Sequence, residues 1–373
     1  MDKIYHTLKE RDNSRKKDDP NIYDIIIFCH LRWDFVYQRP QHIISRLSLH
    51  YKILVVEEPY ESDHNIGYEM EFISSQLTIL KPKVGYISDI AKVFETLEIK
   101  SAPIVWFYSA AFVEFIDLLK PRTVIYDCMD ELSQFKGASN TIRNQEKTLL
   151  EQADIVFTGG KSLYEAKSKQ ALNVYCFPSS VDETHFKSPN DDISIPSDIK
   201  NIAQPIVGYI GVIDERIDLE LIASTAMQKP EISFVMIGPI AKIEEHDLPR
   251  AENIHYLGMK SYGELPHYLK VFKIAMMPFA LNEATEYISP TKTLEYMAAN
   301  KPIISTAIKD VVSDYSEAVT IIKNADEFYQ AIDCILTYKT HNQNTYEKIL
   351  KQTSWDATVS KMMTIIKQET YEL

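Results

Sequence analysis

Short apolar segments alternate with longer amphipathic segments along most of the chain, and they do so in two series. In the first series the apolar segments have the length and composition of buried strands, and the amphipathic segments repeat with the period of a helix. The predicted strands of this series are 24–30, 52–56, 104–107, 123–127, 155–158 and 174–177, and the predicted helices are 38–49, 112–119 and 141–152.

A segment rich in Ser, Pro, Asp and Asn, 178–197, separates the two series and is typical of a linker. In the second series the predicted strands are 206–210, 233–237, 254–257, 274–277 and 302–305, and the predicted helices are 219–227, 263–271, 293–299 and 325–336. A last amphipathic helix over 355–368 carries Trp, Val, Met and Ile on one face and is predicted to pack back across the domain junction.

Strand–helix alternation of this kind predicts an α/β protein with two doubly wound parallel sheets, whose carboxyl ends face each other across a cleft. The predicted division of the chain is a mobile tail over 1–21, an N-terminal domain over 22–183, a C-terminal domain over 184–354, and a crossing helix over 355–373.

The amino-acid composition limits the kinds of molecule that the protein can bind and its place in the cell. The chain of 373 residues has 40 basic and 53 acidic side chains and a net charge of −13, which argues against binding of nucleic acid. Its four cysteines lack zinc-ligand spacing. No export signal and no apolar run of about 20 residues occurs. We therefore expect a cytoplasmic protein, with attachment to the inner face of the membrane left open.

The segment 276–307 has the most chemical content. A predicted strand ends near Pro278, a loop follows, and Pro290 precedes a predicted helix at the position where its missing N–H costs nothing. Thr291, Lys292 and Thr293 would present free backbone amides and a cation, which suit a diphosphate. Glu295 lies about one turn further on, where its carboxylate can accept hydrogen bonds from ribose hydroxyls.

A second candidate loop follows the first strand of the C-terminal series. Gly211 permits close approach of the backbone to a ligand, and Asp214 and Arg216 follow it. Arg216 can form a bidentate contact with a diphosphate. A solvated charged turn is the alternative for these two charges.

The loop after the first strand, 30–42, faces the same predicted cleft. Its polar and aromatic side chains are predicted to bind acceptor or donor, although Trp33 also fits a place in the core: Arg32, Trp33, Asp34, Tyr37, Gln38 and Arg39. His30 and His42 are interpreted as structural. Neither a phosphate-binding G-x-x-x-x-G-K-[ST] loop nor a G-x-G-x-x-G fingerprint occurs.

Several segments, in order, resemble the retaining GT-B glycosyltransferases of the family 4 (group 1) type. The resemblance runs from about residue 24 to the end of the chain, and it is strongest over 178–306. The matching segments are PSSVD at 178–182, VGYIG at 207–211 with Arg216, IHYLG at 254–258, 289–299 with the following KP, and ADIVFTGGKS at 153–162. The opening RWDFVYQRPQH resembles a branch of bacterial cell-envelope polysaccharide transferases, teichuronic-acid enzymes among them.

The resemblance implies a role for individual residues. Glu295 matches a ribose-binding glutamate, and Arg216 matches a phosphate-binding cation. Lys292 is placed near the phosphates by its own position at the helix start, and both cations would stabilise the leaving diphosphate in catalysis. Gly258 and Met259 match backbone that touches the base. Ser289 begins the segment that matches the family's donor-binding helix.

The chain departs from the family pattern at two positions. Tyr287 stands where the family usually has a second glutamate, so that the adjacent Glu286, or the nearby Glu283, becomes a candidate for the donor sugar. Met129 stands where many relatives have a histidine. Asp127 or Asp130 can orient an acceptor or sugar hydroxyl there instead, with Asp130 the catalytic candidate, or they can cap the following turn.

These observations together predict a GT-B glycosyltransferase that moves a sugar from a nucleotide diphosphate, with UDP favoured, to a glycan or lipid-linked acceptor in cell-envelope or exopolysaccharide synthesis. No metal and no cofactor is expected beyond the sugar nucleotide itself. Two alternatives remain open: a sugar-nucleotide epimerase of the same fold, and a non-catalytic sugar-nucleotide-binding subunit.

Overall fold

Two parallel sheets, one in each half of the chain, form the framework of the protein. The computed structural model describes residues 21–59, 66–131, 140–187, 194–338 and 343–371. Of the predicted tail over 1–21, only Asn21 is among these residues. The middle of the predicted linker, 188–193, also lies outside them.

The N-terminal sheet has eight strands among the described residues, in the order β3-β4-β2-β1-β5-β6-β7-β8. Neighbouring strands are parallel except for β3 and β4, which form an antiparallel pair at one edge. The strands are β1 Ile25–Cys29, β2 Ile53–Glu57, β3 Gly67–Ser74, β4 Leu77–Lys83, β5 Ile104–Phe107, β6 Thr123–Cys128, β7 Ile155–Thr158 and β8 Val174–Cys176.

The C-terminal sheet is parallel and has six strands in the described part of the chain, in the order β11-β10-β9-β12-β13-β14. Its central strands are fully buried because helices cover both faces. The strands are β9 Ile206–Ile210, β10 Ser233–Ile237, β11 Ile254–Tyr256, β12 Ile274–Met277, β13 Ile303–Thr306 and β14 Thr320–Ile322.

The helices of the N-terminal half connect strands and cover its sheet. They are α1 Arg39–Leu47, α2 Ile90–Thr96, α3 Phe115–Leu119, α4 Asn140–Gln152 and α5 Lys161–Lys167. The remaining helices are α6 Glu183–Phe186, α7 Leu219–Gln228, α8 Leu265–Val271, α9 Lys292–Ala298, α10 Lys309–Tyr315, α11 Ala325–Tyr338, α12 Gln343–Leu350 and α13 Trp355–Tyr371.

The predicted fold class is confirmed: the protein is α/β with two doubly wound, Rossmann-like sheets. The apolar face of α13 packs on the N-terminal sheet, where Trp355, Val359, Met362 and Ile366 join the core of that domain. The last helix therefore returns to the N-terminal half after the chain has built the second domain. The exact domain boundaries stay a prediction.

The sequence prediction omitted β3, β4 and β14 and the short helices α2, α5, α10 and α12. No helix among the described residues is long and apolar enough to span a bilayer.

Candidate functional site

An open cleft of about 910 Å³ lies between the two domains, at the carboxyl ends of both sheets. We call it the central cleft. From the N-terminal domain it is lined by Gln38, Arg39, His42, Met129, Asp130 and Gly159, among others. From the C-terminal domain it is lined by Gly211, Arg216, Ser289, Pro290, Thr291, Lys292 and Glu295, among others. Residues predicted from separate segments of the sequence are thus brought together.

A second cavity of about 990 Å³ adjoins the first, and we call it the side cavity. One wall comes from the N-terminal domain, residues 33–37, and the other from the C-terminal domain, including residues 237–239 and 259–262. Gly211 and Lys292 line both cavities. Val36 and Tyr37 of the N-terminal domain also line both, so the two spaces meet between these four residues.

Arg216 is held over the central cleft by Asp214. Its guanidinium donates to both carboxylate oxygens, with Nη2 2.7 Å from Asp214 Oδ2, and its backbone N–H donates to Oδ1 at 3.0 Å. Burial opposes the charge of Arg216, but the hydrogen bonds to Asp214 and the negative charge of Asp130 raise the pKa of the guanidinium above its ordinary value. Asp214, predicted to bind the donor, is buried and orients the arginine.

Lys292 and Glu295 occupy the first turn of α9, and Lys292 Nζ lies 3.1 Å from Glu295 Oε2. Both side chains line the central cleft. Thr293 differs from its prediction, because its N–H donates to the Pro290 carbonyl at 3.1 Å and its side chain is fully buried. The Thr293 amide is therefore not free to bind a ligand, because it is hydrogen-bonded within the turn that precedes α9.

Asp130 follows β6 and lines the cleft on the side opposite Arg216. Met129, at the position where many relatives have histidine, lines the cleft next to it. A Cβ on Gly159 would lie 2.9 Å from the Met129 carbonyl oxygen, so the glycine allows the β7 loop to pack closely on this segment. The cleft thus has a carboxylate on one side and a guanidinium on the other.

Comparison with known proteins gives a family match for part of the chain and similar folds for most of it. Residues 204–338 match the family described as "Glycosyl transferases group 1". The described fold aligns with a sucrose-phosphate synthase from Thermosynechococcus elongatus at a TM-score of 0.73, over 94% of this chain and 99% of that one, with 14% identity. Residues 204–338 are thus similar to the group 1 glycosyltransferases, the described fold is the GT-B fold, and together these matches support glycosyltransferase activity.

Two further proteins are similar to this chain. A Bacillus subtilis (strain 168) protein named for teichuronic acid biosynthesis, the glycosyltransferase TuaH, is 25% identical over 287 residues, which are 69% of this chain and 70% of that protein. Anabaena HepE, solved in complex with UDP-glucose, aligns at a TM-score of 0.68 with 12% identity, over 93% of this chain and all of that one (100%).

In this glycosyltransferase, Arg39 and Asp127 form a buried ion pair. The Arg39 Nη2 to Asp127 Oδ1 distance is 2.9 Å, and the side chains are 4% and 0% exposed. Arg39 Nη1 also donates to the Phe177 carbonyl at 2.7 Å. This corrects the prediction that both residues bind acceptor or sugar. Asp127 lies below the cleft, and Arg39 touches the cleft while its hydrogen-bonding groups point into the protein.

Arg32 and Asp34 also differ from their predicted role in substrate binding. Arg32 pairs with Glu57 at 3.3 Å and donates to the Glu58 carbonyl, and it lines neither cavity. Asp34 lines the side cavity but pairs with Lys81 at 3.2 Å. Their charges attach the loop to the end of β2 and to β4, because the partners lie on those strands.

The remaining predicted residues are distributed over both cavities and the surface. Trp33 and Met259 line the side cavity, and Gln38 lines the central cleft. Gly258 adopts φ +69°, and its carbonyl accepts the N–H of Gly238, so it shapes the turn before Met259. Glu286 is exposed and lines neither cavity, which corrects its assignment to the donor sugar.

One contact between the domains was absent from the sequence prediction. Asp310 at the start of α10 accepts the backbone N–H groups of Lys161 and Ser162, at 3.0 and 3.2 Å, which begin α5 of the other domain. Gly160, which precedes α5, has no side chain to cap that helix, and a Cβ there would lie 2.4 Å from Asp310 Oδ2. The glycine pair 159–160 was the only local signal, and it does not reveal a partner so distant in sequence.

His42 was interpreted as structural, yet it lines the central cleft on α1. It is 3% exposed and its ring stacks on Trp355 with centroids 4.7 Å apart. Burial first, and then the positive charges of Arg46, Lys292 and His185, together lower the pKa of His42 from 6.5 to about 3. His42 is therefore neutral in the folded enzyme at ordinary pH.

This depressed pKa predicts a pH-dependent stability. Below pH 6.5 the unfolded chain protonates His42 while the folded enzyme does not, so the stability it contributes is lost as pH falls towards 3. Between pH 6.5 and 5.0 we expect the wild type to lose about 1.5 kcal/mol more than His42→Gln. Urea unfolding of both proteins at the two pH values measures this difference, and parallel pH profiles would contradict it.

No group of three or more His, Cys, Asp or Glu side chains in the described ranges is placed to hold a metal ion.

Proposed function

We propose that this glycosyltransferase transfers a sugar from a UDP-sugar to a glycan or lipid-linked acceptor of the cell envelope, with retention at the anomeric carbon. The observation that carries the proposal is the meeting of the two cavities at Gly211 and Lys292. The side cavity would hold the base, the junction beside Lys292 and Glu295 the ribose and the diphosphate, and the central cleft the sugar.

The relatives support the donor and the pathway in this proposal. HepE binds UDP-glucose in its solved structure, and TuaH is named for teichuronic acid biosynthesis. Retention rests on the resemblance to the retaining family 4 enzymes.

The charges of the cleft suit the proposed reaction. The bond between the anomeric carbon and the diphosphate oxygen breaks, a bond to the acceptor hydroxyl oxygen forms, and the hydroxyl proton leaves with the diphosphate. Negative charge therefore grows on the leaving oxygens, and Arg216 and Lys292 would stabilise it. Asp130, on the opposite side, would orient a hydroxyl of the acceptor or the sugar. Asp214 would keep Arg216 in place.

The nucleoside half of the donor would be held by a carboxylate and by backbone. Glu295 would accept hydrogen bonds from the ribose hydroxyls next to Lys292. Met259 and the turn at Gly258 would contact the base. Ser289, Pro290 and Thr291 would close the diphosphate side of the cleft, where the Ser289 carbonyl already accepts from Ser179 Oγ at 2.9 Å.

Binding of UDP by Glu295→Ala tests the donor site. Loss of hydrogen bonds to a charged group costs about 1.5–3 kcal/mol, so we expect the Kd for UDP to rise by roughly tenfold to a hundredfold. Isothermal titration calorimetry measures this, with Glu317→Ala, an exposed glutamate of the same domain, as the matched control.

An unchanged Kd in Glu295→Ala would contradict the assigned ribose contact. Incubation of UDP-sugars with and without an acceptor pool tests the reaction itself. We expect UDP release and a product with the anomeric configuration of the donor only when acceptor is present. Formation of an isomeric sugar nucleotide without acceptor would show an epimerase instead.

A further inference from the structure

The loop 32–37 of the N-terminal domain is fixed by its polar residues. Trp33 N–H donates to Glu57 Oε1 at 2.7 Å, and Glu57 is fully buried at the end of β2. The Gln41 side-chain amide donates to the carbonyls of Arg32, Trp33 and Val36 at 3.2–3.3 Å. With the Arg32 and Asp34 ion pairs already described, the loop is attached at both ends and in its middle.

Most polar groups of this loop are thus bound within the N-terminal domain, with Asp34 also at the edge of the side cavity, and its large apolar side chains line that cavity. Trp33, Phe35 and Val36 line the side cavity. Phe35 is 39% exposed, and Met259 on the opposite wall is 41% exposed. Large apolar side chains from two domains are therefore partly exposed towards one shared space.

The loop also contacts the C-terminal domain at one edge of the cavity. The rings of Tyr37 and Tyr262 lie 4.9 Å apart, and both residues line the side cavity. The loop is consequently a preformed wall, anchored in one domain and touching the other. The side cavity extends to Lys292, at the junction proposed for the diphosphate.

We propose that Trp33 and Phe35 form the N-terminal wall of the nucleoside site, so that this loop binds the donor and not the acceptor. The inference rests on the proposed function, because it takes the side cavity as the site of the base. An aromatic ring facing a planar base suits stacking, which tolerates any base and adds affinity without hydrogen bonds. The N-terminal domain would then hold the nucleotide before any acceptor arrives.

Calorimetric titration of UDP alone, without sugar acceptor, tests this proposal. We expect Phe35→Ala to raise the Kd for UDP about tenfold, as loss of one base–aromatic contact does elsewhere. The matched control is Phe72→Ala, because Phe72 is a 73% exposed phenylalanine of the same domain on β3 and lines neither cavity. Both variants remove an exposed ring, so both are expected to fold.

The outcomes separate this inference from the proposed function. If Glu295→Ala weakens UDP binding while Phe35→Ala leaves the Kd unchanged and raises only the acceptor KM, the loop serves the acceptor and the inference is overturned. If the wild type binds no UDP at all, the nucleoside site fails and the inference fails with it. Weaker UDP binding in Phe35→Ala, with an unchanged acceptor KM, supports the donor wall.

Discussion

Arg216→Ala is expected to lower kcat by about 10²–10³-fold, while the donor KM rises much less. The guanidinium lines the cleft where the diphosphate is proposed to leave, and the charge on the leaving oxygen increases as the bond breaks, beyond the charge that the diphosphate already carries in the donor. Removal of one preorganised donor to such a charge typically costs a factor of this size. Initial rates with saturating donor and acceptor measure kcat directly.

Two further variants identify the cause of that loss. Arg216→Lys keeps the charge but not the fork that binds Asp214, so a partial recovery of kcat is expected. Arg250→Ala removes an exposed arginine of the same domain and is expected to leave kcat unchanged. A kcat within threefold of the wild type in Arg216→Ala would remove the arginine from the mechanism.

The core strands and the donor segment were predictable because their signals are local. A fully buried parallel strand such as Ile206–Ile210 is a continuous apolar run, and the helix after Pro290 has a boundary signal and a cation within four residues. The edge strand Gly67–Ser74 has no apolar run, because apolar and acidic side chains alternate over residues 68–72. That alternation is itself typical of a half-buried strand, and a prediction from apolar runs alone misses it.

The roles of the charged residues around the cleft were harder to predict, because the type of a residue indicates its chemistry but not which other residue it pairs with. Arg32 binds Glu57, 25 residues away, and Lys81 binds Asp34, 47 residues away. Asp310 caps a helix of the other domain from 149 residues away. Only the fold brings these groups together. An arginine that the sequence suggests for ligand binding can therefore be paired with a carboxylate of the protein itself.

Separate replacement of either Arg39 or Asp127 is expected to destabilise the enzyme strongly. Arg39→Met leaves a fully buried carboxylate without its cation, and breaking such a pair costs about 3–5 kcal/mol. Burial already raises the pKa of Asp127, and Arg39 is what opposes that rise, so the carboxylate depends on this one cation. Urea unfolding at neutral pH measures the loss. Arg250→Met, which breaks an exposed pair, should cost less than about 1 kcal/mol.

The double variant Arg39→Met/Asp127→Leu decides between a structural and a substrate-binding role. With both charges gone, no buried ion remains unpaired, and most of the stability should return. Full recovery is not expected, because the Phe177 carbonyl loses its hydrogen bond from Arg39, at a cost of about 1–3 kcal/mol. If the pair only supports the fold, this variant keeps the donor and acceptor KM of the wild type. A stable double variant with a raised acceptor KM would restore Arg39 and Asp127 to the substrate site, since stability and binding are then lost separately.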